Sequence, residues 1–162
     1  MLHIVLHEPE IPSNTGNIAR TCAATGSALH LIKPLGFDIS EKAVRRAGLD
    51  YWNLLDLHLY DDLDDFFART GARNIWLTSS FAPQCYADVR YEEGCYLFFG
   101  KETKGLPETF LKTHRDRCLR LPMLPDARCL NLANAAAVVC YEALRQIGFP
   151  TLKQAGAMAE SE

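Results

Sequence analysis

Tyr96-Leu97-Phe98-Phe99-Gly100-Lys101-Glu102-Thr103-Lys104-Gly105-Leu106-Pro107 runs from four bulky apolar residues, through a polar glycine loop, to a proline suited to the start of a short helix. The first four residues read as a strand, so the glycine loop hangs from a strand's carboxyl end. Gly100 and Gly105 have the spacing of a phosphate-binding P-loop, but Leu106 stands where that loop needs its lysine. The dinucleotide fingerprint G-x-G-x-x-G is missing after every predicted strand. What remains is a glycine turn at the end of a strand, the place where open α/β sheets bind their ligands.

The same alternation continues on both sides of this stretch. Strands are predicted at Leu2–Leu6, Ala28–Ile32, Leu57–Tyr60, Ile75–Thr78, Tyr96–Phe99 and Cys118–Leu121. Helices are predicted at Thr15–Ala24 (capped by Ser13 or Asn14 and ended by Gly26), Ser40–Arg46, Asp61–Arg69, just after Pro107, and Asn131–Ile147. The last is the clearest, with Leu132, Ala135, Ala136, Val139, Cys140, Ala143 and Ile147 on one stripe before Gly148 and Pro150. Strands alternating with helices give an α/β fold with a mainly parallel sheet flanked by helices. Residues 1–150 are expected to form a single domain, with 151–162 a flexible tail.

A chain of 162 residues with 48% hydrophobic content is the size of one domain with a substantial core. No stretch approaches the roughly 20 apolar residues that cross a bilayer, and no basic leader precedes the first strand, so a cytoplasmic protein without a membrane partner is expected. The six cysteines include no C-x-x-C pair and no histidine at ligand spacing, which leaves metal and redox sites unsupported. A net charge of -3 confines any nucleic-acid contact to local clusters of cations, such as Lys42, Arg45 and Arg46 or the stretch 112–128. Asp61, Asp62, Asp64 and Asp65 read as a helix cap with carboxylates in the first turn.

Two further segments have chemical potential. In Asn14-Thr15-Gly16-Asn17-Ile18-Ala19-Arg20 a loop closes into a helix whose free N–H groups, with the Arg20 guanidinium, suit an anion. Taken alone, it is equally an ordinary helix with a surface arginine. From Leu119 to Asn134 a strand ends at Pro122 and a loop with apolar walls leads into the last helix, a setting that suits a flat aromatic ring better than a phosphate.

Together, Asn14-x-Gly16-Asn17-x-x-Arg20, Gly100-x-Glu102-x-x-Gly105-Leu106, and Leu121-Pro122-Met123 with Leu130-Asn131 and the alanine-rich helix resemble the signature motifs of the SPOUT superfamily of RNA methyltransferases, in the branch that methylates ribose 2′-hydroxyls. The resemblance holds in order and spacing from Met1 to Pro150. Pro9-Glu10-Ile11-Pro12, the stretch from Arg45 to Tyr51, and Pro125-Asp126-x-Arg128 are similar to the TrmL type, the tRNA (cytidine/uridine-2′-O)-methyltransferases of the wobble nucleotide, whose substrates are leucine tRNAs.

That resemblance implies a C-terminal trefoil knot, a homodimer in which the first helix of one chain lies near the cofactor of the other, and S-adenosylmethionine as methyl donor with S-adenosylhomocysteine as product. It places the cofactor against Leu77, Thr78, Gly100, Glu102, Leu121, Met123, Cys129 and Leu130, and assigns Arg20 to catalysis. A guanidinium does not surrender its proton, so Arg20 is expected to hold the phosphate beside the target ribose and to stabilise charge on the attacking oxygen. Asn14, Asn17, Arg45, Arg46, Arg128, Asn131 and Tyr141 are the expected substrate contacts, with Lys42, Lys104, Tyr51 and Trp52 as further RNA candidates. Simpler roles stay open: a helix cap for Asn131, a core position for Tyr141, loop ordering for Glu102. So do methylation of another tRNA or rRNA site, and a non-catalytic RNA-binding dimer.

Overall fold

In a computed structural model, residues 1–39 and 52–157 are described. The elements follow the chain as β1 (His3–His7), α1 (Pro12–Thr25), β2 (Ala28–Ile32), a 3-10 turn (Trp52–Leu54), β3 (Leu57–Tyr60), α2 (Leu63–Thr70), β4 (Ile75–Thr78), β5 (Gln84–Cys85), β6 (Tyr96–Phe99), α3 (Glu108–Thr113), a 3-10 turn (Arg115–Arg117), β7 (Cys118–Arg120) and α4 (Leu132–Gln146). The helix expected at Ser40–Arg46 lies outside the described residues.

The strands form one seven-stranded sheet in the order β3-β2-β1-β6-β4-β7-β5, with every pairing parallel. Side chains alternate across it with the two-residue period of a strand. On one face Ile4, Leu6, Leu29, Leu31, Leu97 and Phe99 meet α1 through Ile18 and Cys22 and α4 through Ala136, Val139, Cys140 and Ala143. On the other, Val5, Ile32, Ile75, Leu77 and Phe98 meet Phe66 of α2, while Phe110 and Leu111 of α3 pack at the edge. Burial on both faces is why these strands read as almost unbroken apolar runs.

The helix ends depart from expectation in instructive ways. The first helix starts at Pro12, not Thr15, and its cap is Ile11, whose side chain makes no capping bond. Proline fits the first helical position because the N–H it lacks has no partner there. Neither Ser13 nor Asn14 caps the helix; both lie in its first turn. Gly26, at φ 66°, ends the helix as expected. The acidic run does cap α2: Asp62 accepts from the Asp65 N–H at 2.8 Å, and Asp65 accepts in return from the Asp61 N–H at 3.0 Å. In α4 the buried positions are Ala133, Ala136, Val139, Cys140, Ala143 and Leu144, so the core-facing stripe gains Ala133 and Leu144, while the expected Leu132 and Ile147 pack against the core half-buried.

Candidate functional site

In a parallel sheet every strand ends on the same side, so the loops after β1, β4, β6 and β7 are brought together. Between them lies an open cleft of about 550 Å³. Ile11 and Asn14 come from the first loop and helix, Thr78 to Phe81 from the second, Gly100 to Leu106 from the third, and Leu121, Met123 and Arg128 to Leu132 from the fourth. The volume falls within the range of small-molecule sites, and Leu106, Leu121 and Leu130 give it apolar walls.

One hydrogen-bonded chain ties three of these loops together. The Glu102 carboxylate accepts from the backbone N–H of Glu10 at 2.8 Å, from that of Ile11 at 3.1 Å, and from Asn14 Nδ2 at 3.1 Å. Asn14 thereby turns its Oδ1 outward, where Asn131 Nδ2 donates to it at 2.9 Å. That in turn points Asn131 Oδ1 at the N–H groups of Ala133 and Asn134, at 2.9 and 3.2 Å, and caps α4. A carboxylate only accepts, so Glu102 fixes the direction of both amides, and the orientation propagates from the glycine loop to the last helix.

The clasp is reciprocal. While Glu102 accepts from the first loop, Glu10 Oε2 accepts from Thr103 N–H at 3.1 Å and Thr103 Oγ1 at 2.8 Å. Beside it, Lys101 Nζ donates to Glu8 Oε2 at 2.5 Å. That bond holds the Glu8 carboxyl below its usual range and raises the lysine, so both are charged at neutral pH. Glu8 takes a left-handed backbone, φ 50°, uncommon for a residue with a side chain. Gly100 is required where it stands, since a Cβ there would fall 2.0 Å from the Gly105 carbonyl carbon and 2.1 Å from the Leu106 nitrogen.

Glu102 thus places a carboxylate at the entry to α1, on the N–H groups of Glu10 and Ile11 and the Asn14 side chain, ahead of the helix's own first-turn N–H groups. Of the residues the resemblance assigned to a cofactor, Thr78, Gly100, Glu102, Leu121, Met123, Cys129 and Leu130 line the cleft, whereas Leu77 is wholly buried in the core behind it. Asn14, Arg128 and Asn131 line it too; Asn17, Arg20 and Tyr141 are exposed elsewhere on α1 and α4. Arg45, Arg46, Lys42 and Tyr51 lie outside the described residues. Glu8 and the Ser79–Phe81 stretch had no signal in the sequence, and Glu10 had one only through the Pro9–Pro12 resemblance, since their roles come from partners distant along the chain. Among the described residues no group of His, Cys, Asp or Glu is placed to hold a metal ion, and no helix is long and apolar enough to cross a membrane.

Residues 1–141 match the family described as SpoU rRNA Methylase. A relative from Saccharophagus degradans, named a tRNA (cytidine(34)-2′-O)-methyltransferase, is 49% identical over 150 residues, covering 92% of this chain and 97% of the relative. A solved structure described as "Structural insights into the 2-OH methylation of C/U34 on tRNA" superposes with a TM-score of 0.85 at 48% identity, covering 91% of this chain and 97% of that one. The SpoU methyltransferase AviRb from Streptomyces viridochromogenes, solved in complex with the cofactor AdoMet, is similar at a TM-score of 0.75 and 26% identity, covering 94% of this chain and 59% of that one.

Proposed function

The chain belongs to the SpoU rRNA methylase family, a family of methyltransferases, and from that premise we propose that it moves the methyl group of S-adenosylmethionine to the ribose 2′-hydroxyl of the wobble nucleotide of tRNA. The target is a cytidine or a 5-modified uridine, in leucine tRNAs. The observation that carries this reading is the cleft in which all three motif segments meet, closed by the Glu102–Asn14–Asn131 chain. The relatives named for position 34 narrow the substrate.

When bound, S-adenosylmethionine supplies an electrophilic methyl on a sulfonium. Leu121, Met123, Cys129 and Leu130 would hold its adenosine part along the cleft's apolar wall, with Thr78, Gly100 and Glu102 at the loop edges and Leu77 contributing only through its backbone. Arg20 would engage the phosphate beside the target ribose and stabilise the negative charge growing on the attacking oxygen, with Asn17, Arg45, Arg46, Arg128 and Tyr141 assisting RNA contact. Arg20 is exposed on α1 and does not line the cleft of its own chain. This favours a homodimer in which α1 of a second copy completes the site. Val138 and Tyr141, three residues apart on α4 and 41% and 49% exposed, offer that copy an apolar surface. The same reading takes residues 1–150 as one cytoplasmic domain, with the segment after β7 threaded as a trefoil knot.

Incubation with labelled S-adenosylmethionine and total tRNA, followed by nucleoside mapping, tests the reading. Label in the 2′-O-methylated wobble nucleotide of leucine tRNA is expected. Label in ribosomal RNA, or elsewhere in tRNA, would move the substrate; no label together with no S-adenosylmethionine binding by calorimetry would overturn the reading.

A further inference from the structure

Phe81 is 93% exposed, an almost bare aromatic ring on the rim of the cleft. Its backbone is held firmly, however. Ser79 N–H donates to Leu119 O at 2.9 Å and ties the loop to β7, while Ala82 N–H donates to Ser79 O at 3.2 Å and closes a turn. Phe81 N–H donates to Ser79 Oγ at 3.2 Å, and the Arg120 guanidinium bonds the Ser80 carbonyl from the next strand. A loop fixed at 79, 80, 81 and 82 therefore presents its ring to solvent on a cleft that Lys104 and Arg128 also line. Both cations line the same cleft, and neither forms an ion pair or hydrogen bond among the described residues. An aromatic ring on a rigid loop next to cations is the combination that binds a single-stranded nucleotide, the ring taking the base and the cations the backbone.

We propose that Phe81 is the stacking platform for the base of the target nucleotide, holding it at the mouth of the cleft while the ribose points inward. The inference rests on the tRNA methyltransferase reading and adds to it how the base is recognised. Stacking engages a ring's face and ignores its hydrogen-bonding edge, so such a platform accepts cytidine and uridine alike. The cofactor's adenine is a poorer occupant, because a buried aromatic base suits the covered apolar lining, where Leu106 is 4% exposed, better than a ring that is 93% exposed.

The test compares wild type with Phe81→Ala, Phe81→Leu and Phe81→Trp, using a leucine tRNA anticodon stem-loop with pyrrolocytidine at the wobble position. Wild type should quench the fluorophore on binding. Phe81→Ala and Phe81→Leu should lose the quench and raise KM for tRNA by about 5- to 150-fold, the effect of losing one base–aromatic stack. Phe81→Trp should restore both, and the S-adenosylmethionine Kd and oligomeric state should hold in all three. Weakened cofactor binding with an unchanged KM for tRNA would assign the ring to the cofactor, and a changed oligomeric state would assign it to a subunit contact; either overturns the proposal, as does an unaltered Phe81→Ala. Wild type that methylates no tRNA removes the underlying reading as well, and so is distinguishable from failure at Phe81 alone.

Discussion

Asn131 makes its contacts in two directions at once, and a single change can separate them. Aspartate caps a helix as well as asparagine does, so Asn131→Asp keeps the bonds to Ala133 and Asn134. It also sets a carboxylate oxygen against Asn14 Oδ1, which now accepts from Asn131 at 2.9 Å. Asn14 cannot turn to donate there without abandoning Glu102. The expected cost is about 1–3 kcal/mol, read as a fall in Tm of about 2–4 °C per kcal/mol in a domain of this size, with helix content unchanged by circular dichroism. An unchanged Tm would show that the amide pair carries no weight. Arg20 calls for a different readout: Arg20→Ala should lower kcat on tRNA by about 10²–10³ while Tm and S-adenosylmethionine affinity hold, and near-normal turnover would end its catalytic assignment.

Among the elements, the strands share a polar seam on the face covered by α2. His30 bonds His3 at 2.9 Å and the Tyr60 hydroxyl at 2.9 Å, and stacks on His58 with ring centroids 4.9 Å apart. Burial, with charge on His3 and His58 adding to it, pushes His30 down to about 3. Its folded pKa is below its unfolded one, so the unfolded chain binds the extra proton. Stability should therefore be intact above about pH 6.5 and fall with acid toward pH 3, by up to about 1.4 kcal/mol per pH unit for this one site. Tm measured from pH 7 to 4 checks this, and His30→Gln should flatten the slope; an equal slope in the variant would place the acid sensitivity elsewhere. The strands were also the most legible part of the sequence. Ala28–Ile32, Leu57–Tyr60, Ile75–Thr78 and Tyr96–Phe99 match end to end because each is a short, largely apolar run between breakers. Two-residue β5 has too little pattern to be seen, and Pro12 reads as a loop signal although the first helical position welcomes it. In the candidate site, the glycine loop and the Asn131 cap are local and legible. The Glu102 clasp is not, because its partners lie in another motif.

For the whole molecule, the placement of Arg20 away from its own cleft leads to a mixing experiment. An Arg20→Ala chain keeps its cleft, and a Leu130→Glu chain, with a carboxylate in the apolar wall, keeps its arginine. Each alone should be inactive. If a second copy supplies Arg20, mixed dimers contain one intact composite site, and co-refolding the two should restore part of the wild-type rate; no restoration would place the arginine in its own chain's site. The clasp has a consequence in time as well. Its bonds join residues 88 to 117 positions apart, and contacts at such separation wait for long loops to close. A ribosome must therefore deliver Glu102 before Asn14 can be turned, and Asn131 before the last helix can be tied to the first, so the clasp is among the last features to form. A chain still short of Asn131 lacks one wall of the cleft, so anything that binds there would report that translation has passed the start of the last helix.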